Sequence, residues 1–159
     1  MLEKQGSASE IVLHGISMGA ATVLMTSGEP LPSNVKAIVA DSAYTSVHDL
    51  FEYQLERMYH LPDFPVLPST SLVTKMQAGY SFEEASALEQ VKRTDIPILY
   101  IHGNSDTFVP TAMSEKLVEN TKSEAEIITF DGANHGEAFV IEQKRYVDKL
   151  TDFLNQYVK

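Results

Sequence analysis

Short apolar runs bounded by turn residues recur along the chain at about 10–15, 35–41, 96–102 and 125–130. Each has the length and boundaries of a buried strand. Between them the apolar residues take a helical period. Ala20-Ala21-Thr22-Val23-Leu24-Met25 follows the first run, and Val47 to Tyr59 keeps helical spacing until Pro62-Asp63-Phe64-Pro65-Val66-Leu67-Pro68 breaks it. Near the end, Val147, Leu150, Leu154 and Tyr157 mark one face of an amphipathic helix within Ala138 to Val158. Strands alternating with helices predict a parallel α/β sheet with crossover connections. Ahead of the first strand, Leu2-Glu3-Lys4-Gln5-Gly6 reads as a helix tail stopped by glycine.

The ends of these strands carry the chemistry. Ile11-Val12-Leu13 runs into Gly15-Ile16-Ser17-Met18-Gly19, directly ahead of the first helical stretch. A serine presented at the top of a sheet sits in a cramped strand-to-helix turn, where side chains two residues away on either side would collide. A nucleophilic serine needs a base, and the base needs an acid to fix its tautomer. Ile96-Pro97-Ile98-Leu99-Tyr100-Ile101 leads into His102-Gly103-Asn104-Ser105-Asp106, and Ala125 to Phe130 leads into Asp131-Gly132-Ala133-Asn134-His135-Gly136. The order is therefore Ser17, Asp106, His135.

That order, with the segments HGISMGA, IHGNSDTFVP and GANHGEA, resembles the C-terminal portion of an α/β-hydrolase of the esterase, lipase and serine-aminopeptidase type. The resemblance runs over essentially the whole chain, 1–159. It implies Ser17 as nucleophile, His135 as general base and then acid, Asp106 as orienting carboxylate and the Met18 N–H as an oxyanion donor. It also implies a serine hydrolase that cleaves carboxylic esters through an acyl-serine. A serine peptidase of the aminopeptidase or dipeptidyl-peptidase kind is the alternative, and a fragment acting only by association is the rival from outside the enzymes. The substrate would be a small-molecule ester or peptide.

Each assignment has a competitor in the sequence. Asp41, closing the run Val35 to Ala40, is the rival acid, because its strand ends on the same face of the sheet. The turn Asp106-Thr107-Phe108-Val109-Pro110 favours Asp106, which would otherwise serve to cap the helix that starts near Pro110. His14 and His102 precede glycines at strand ends and read as packing or hydrogen-bonding residues around the site. His48 and His60 show no metal-ligand spacing, so neither a metal nor a cofactor is expected.

Composition narrows the field. The 22 acidic and 12 basic residues leave a net charge of −10, which argues against nucleic acid and anionic membrane surfaces as partners. With no cysteine among 159 residues, neither a thiol nucleophile nor a disulfide is available. A cytoplasmic setting is compatible with that. No stretch is long enough to cross a bilayer.

The resemblance also sets an expectation about extent. The family's sheet has about eight strands with the nucleophile after the fifth, whereas Ser17 follows the first strand here. The chain is thus expected to be a truncated α/β-hydrolase sheet of about four C-terminal strands with flanking helices. Residues 45–94 would form a helical cap or lid-like insertion, rich in large apolar side chains. The loop that gives the second oxyanion donor would lie upstream, making this chain alone a poor enzyme. An open edge on the first strand is expected to be covered, with a second copy as one way to do it.

Overall fold

In the computed structural model, residues 9–158 are described; the expected helix tail at Leu2 to Gly6 lies outside them. Four strands, β1 (Ile11–Ile16), β2 (Val35–Asp41), β3 (Ile98–Gly103) and β4 (Ala125–Phe130), form one parallel sheet in the order β1-β2-β3-β4. They fall within two residues of the apolar runs. Among the described residues seven helices accompany them: α1 (Met18–Ser27), α2 (Val47–Tyr59), α3 (Val66–Ala78), α4 (Ala87–Val91), α5 (Thr111–Asn120), α6 (Ala138–Ile141) and α7 (Gln143–Tyr157).

Strand alternation divides the core into two layers. Ile38, Ala40, Ile98 and Tyr100 point to one face, where Ala20 and Leu24 of α1, Ala87 and Val91 of α4 and Leu117 of α5 cover them. Ala37, Val39, Leu99 and Ile101 point to the other, against Phe130, Ala138, Tyr146 and Phe153. The strands are added always in the same direction, so right-handed crossovers place α1, α4 and α5 on one face. The opposite face is left to the segment after β4. β3 is buried at every residue. β1 is only partly so, because among the described residues it pairs with β2 alone.

The interval between β2 and β3 leaves the sheet and returns at one place. Val47 N–H donates to Ala85 C=O, Leu88 N–H donates to Thr45 C=O, and Ser46 bridges Ser86. The two serines also cap α2 and α4, accepting from Asp49 N–H and Glu89 N–H. α2 and α3 form the excursion, while α4 returns to the core. α2 has the bounds its spacing predicts, but the proline-rich run interrupts the chain only as far as Pro65. α3 begins at Val66 and carries Pro68 in its first turn, where a missing N–H costs no helical bond.

The closing segment differs from the single helix expected. It breaks at Glu142, whose φ of −135° and ψ of 63° separate α6 from α7. The buried face of α7 centres on Tyr146 and Phe153, with Leu150, Leu154 and Tyr157 beside them, while Val147 is exposed.

Candidate active site

β1 hands over to α1 through a single residue. Ser17 has φ 55° and ψ −117°, a left-handed backbone that costs a non-glycine residue roughly 1–3 kcal/mol. The turn is held from below, since Ser17 N–H donates to Asp41 C=O at 2.8 Å. A Cβ on Gly15 would stand 2.2 Å from the Gly19 carbonyl, so only glycine lets the strand pass beneath the first turn of α1. A Cβ on Gly19 meets nothing within 4 Å. The collision expected on both sides of the serine exists only on the strand side.

His135 reaches Ser17 from the loop after β4. Its Nε2 lies 2.7 Å from Ser17 Oγ, and its Nδ1 lies 2.7 Å from Asp106 Oδ2. Ser17 and His135 are half-buried, whereas the Asp106 side chain is fully enclosed. Three residues from distant stretches of the chain therefore meet in the order hydroxyl, imidazole, carboxylate.

Asp106 is held by four donors. Phe108 N–H and Val109 N–H each donate to Oδ1 at 2.8 Å, which is the local turn that Asp106 makes ahead of α5. His135 Nδ1 meets Oδ2, and His102 Nε2 stands 3.2 Å from the same oxygen. Burial pulls the Asp106 carboxyl upward. Hydrogen bonding from His102, His135 and the Val109 N–H outweighs it, holding the group well below the ordinary carboxylate range. Asp106 is thus ionised at neutral pH, as an acceptor for an imidazole N–H must be.

The loops bearing Asp106 and His135 are stitched together. Asn134 Oδ1 accepts from His135 N–H at 2.8 Å and from Thr107 N–H at 3.3 Å. A Cβ on Gly103 would lie 2.2 Å from the Ala133 carbonyl, so a side chain there would separate the loops. Ser42 is a third tie: its Oγ accepts from Gly136 N–H at 3.2 Å and donates to Asp41 Oδ1 at 3.1 Å. Ser42 holds φ 54° while fully buried. Sequence reasoning missed Ser42 and Asn134, since neither position carries a residue type that announces a strained or bridging backbone.

The rival acid goes elsewhere. Asp41 is buried, and its oxygens accept from Tyr146 Oη at 3.0 Å and from Ser42 Oγ. His102 is fully buried, with Nδ1 2.7 Å from Ser114 Oγ and Nε2 2.9 Å from Val109 C=O. His14 is exposed and lies 3.4 Å from Tyr146 Oη. His48 is the one histidine whose neighbourhood differs from expectation, because a turn of α2 brings it within 4.8 Å of Asp49 and Glu52 ligand atoms. Asp49 is already engaged there, since its Oδ2 accepts from Thr45 Oγ1 and its N–H donates to the capping Ser46 Oγ.

Met18 opens α1, so its N–H has no carbonyl four residues back within the helix, and the positive end of the helix dipole points towards Ser17. Beside it a cavity of about 690 Å³ is lined by Met18 and Thr22 of α1, Tyr44 ahead of α2, Leu50 and Phe51 of α2, and Tyr80 and Phe82. α2 also touches the Asp106 turn, donating from Gln54 Nε2 to Phe108 C=O at 2.5 Å. The Phe108 ring lies 5.0 Å from the His135 ring. A second cavity, of about 650 Å³ along α7, shares no residue with this site.

The arrangement can take a proton from a hydroxyl into an imidazole and hold the resulting cation against a carboxylate. Similar proteins agree in fold. The chain is 27% identical over 145 residues to the uncharacterised protein YqkD of Bacillus subtilis, which covers 91% of this chain and 48% of that protein. The chain thus spans about half the length of that relative. An acylaminoacyl peptidase of Pyrococcus horikoshii superimposes with a TM-score of 0.73 at 20% identity, over 99% of this chain and 26% of its own. The Pyrococcus furiosus esterase Pf2001 gives 0.70 at 20% identity, over 95% and 55%. These are α/β-hydrolase folds, as the sheet and its strand-end site suggest. The profile of the prolyl oligopeptidase family of peptidases matches residues 2–159, and the chain belongs to that family.

Proposed function

We propose that this chain carries the catalytic part of a serine hydrolase that cleaves carboxylic esters through an acyl-serine intermediate. Ser17 Oγ attacks the carbonyl carbon while His135 Nε2 takes its proton. His135 then returns that proton to the departing alcohol, and water repeats the cycle on the acyl-serine to release the acid. Asp106 keeps the Nδ1 proton in place and stabilises the imidazolium. Met18 N–H donates to the developing oxyanion. The observation that carries this reading is the unbroken line from Ser17 Oγ to Asp106 Oδ2 through His135, two contacts of 2.7 Å each.

An ester is the favoured substrate on chemical grounds. An alcohol leaves a tetrahedral intermediate more readily than an amine, so an ester depends less on a complete oxyanion site. Met18 N–H is the donor that the elbow supplies, and removing one oxyanion donor typically costs about 100- to 1000-fold. A peptide or acylated amino acid is the second reading, supported by the family match and by the acylaminoacyl peptidase among the structural neighbours. The apolar cavity beside Met18 suits an uncharged acyl or side-chain group in either case.

A fluorophosphonate probe tests the proposal. A covalent adduct on Ser17, absent in Ser17→Ala, is expected; a folded chain that forms no adduct would overturn it. Short-chain p-nitrophenyl esters should then turn over faster than aminoacyl anilides. The reverse ranking would make the chain a peptidase.

A further inference from the structure

His102, the penultimate residue of β3, is the only fully buried histidine among the described residues, and its ring is tied at both nitrogens. Nε2 faces two acceptors and no donor: Val109 C=O at 2.9 Å and Asp106 Oδ2 at 3.2 Å. Two acceptors can share the nitrogen only if it carries hydrogen, so the proton on Nε2 is dictated by its surroundings. On the other side Nδ1 meets Ser114 Oγ at 2.7 Å, and Ser114 Oγ lies 3.2 Å from Ala43 C=O. The ring therefore cannot rotate away from Asp106 without leaving buried polar groups unpaired.

We infer that His102 is a positioning residue for the catalytic acid. Its Nε2–H fixes the Val109 carbonyl, and with it the turn that grips Asp106 Oδ1, while sharing Oδ2 with His135. This inference rests on the reading of Ser17, His135 and Asp106 as a triad.

Two consequences follow from one carboxylate oxygen serving two imidazoles. The first is geometric. With Oδ1 held by Phe108 N–H and Val109 N–H and Oδ2 pinned between two rings, the carboxylate has one orientation, in which Oδ2 addresses His135 Nδ1. The second is electrostatic. A donor on Oδ2 withdraws charge from the oxygen that His135 uses, so Asp106 attracts the His135 proton less strongly than it would alone. Removing the His102 donor would strengthen that attraction. The titratable groups that reach His102 are Asp106 on the turn after β3, His135 across that carboxylate, and Asp41 at the end of β2. From α5 only the neutral Ser114 faces it.

The test compares His102→Leu, which removes the donor, with His102→Gln, whose amide nitrogen reaches the Nε2 position. The rate of fluorophosphonate labelling of Ser17 is measured against pH. In His102→Leu the acid limb of the profile should move up by roughly one pH unit, while His102→Gln should stay close to the unaltered chain. In the same samples the low-field Nδ1 proton of His135 should shift for leucine and return for glutamine. Leucine and glutamine behaving alike, or a leucine variant with an unmoved limb and proton, would overturn the inference. Where His102→Leu does not fold, the unaltered chain decides. Nitrogen shifts of His102 should show Nε2 protonated throughout the neutral range, and an unprotonated Nε2 would overturn it. Failure of the unaltered chain to label at all would fall on the proposed function instead, and the proton resonances would still judge His102.

Discussion

Asp41 and Asp106 stand at the carboxyl ends of neighbouring strands, both buried, and their surroundings drive them in opposite directions. Burial pushes the Asp41 carboxyl up, and the hydroxyls of Tyr146 and Ser42 offset only part of that. Asp106 meets the same desolvation but receives two backbone N–H groups and two imidazoles, and is held down. Position at the end of a strand therefore does not decide how a carboxyl ionises; the donors arranged around it do. Asp41 faces α7 through Tyr146 and contributes to the site through its backbone, where its carbonyl accepts from Ser17 N–H.

The sharpest way to break this comparison is to neutralise each carboxylate in turn. Asp106→Asn should lower the rate of Ser17 labelling by about 10⁴-fold, because an amide facing Nδ1 favours the wrong imidazole tautomer. Asp41→Asn should leave the rate within a few-fold of the unaltered chain, since its side chain touches neither Ser17 nor His135. If the two variants exchanged behaviour, Asp41 would be the working acid and the geometry at His135 would be misleading.

Much of this was readable beforehand, for physical reasons that differ by residue. The strands announce themselves because β2 and β3 are buried on both faces and must be apolar at nearly every position. The strain at Ser17 is signalled by Gly15, whose missing Cβ has a direct steric purpose. Ser42 carries almost the same φ with no such neighbour, and nothing in its identity reveals the hydrogen bond to Gly136 that holds it. The split between α6 and α7 is equally silent, because no glycine or proline marks the change of direction at Glu142. Choosing between Asp41 and Asp106 rested on the turn that follows Asp106, and that turn does supply the two N–H donors.

A smaller effect isolates what supports Asp41. Tyr146→Phe keeps the ring packed against Phe130 and Phe139 while deleting the hydroxyl that donates to Oδ2. Stability should fall by about 1–3 kcal/mol, the cost of leaving a buried acceptor without its donor. Labelling of Ser17 should be unchanged. Chemical denaturation and the probe reaction read the two quantities separately, and a variant that kept its stability while losing labelling would tie Asp41 to the chemistry after all.

The subtlest expectation concerns pH, and its sign differs between the two carboxylates. Asp106 is depressed in the folded chain, so its stabilisation is present above the unfolded carboxylate value of about 3.9 and is lost as pH falls below it. Asp41 is raised, so folding favours its protonated form; that contribution is full below about 3.9 and fades as pH rises through its folded value. An asparagine at position 41 cannot ionise and so escapes the second loss. Thermal unfolding of Asp41→Asn and of the unaltered chain, followed upward from acid pH, should therefore show the difference between them turning in the variant's favour. A difference that stayed level with pH would mean that Asp41 titrates alike in the folded and unfolded chain, and that only Asp106 is tuned by its surroundings.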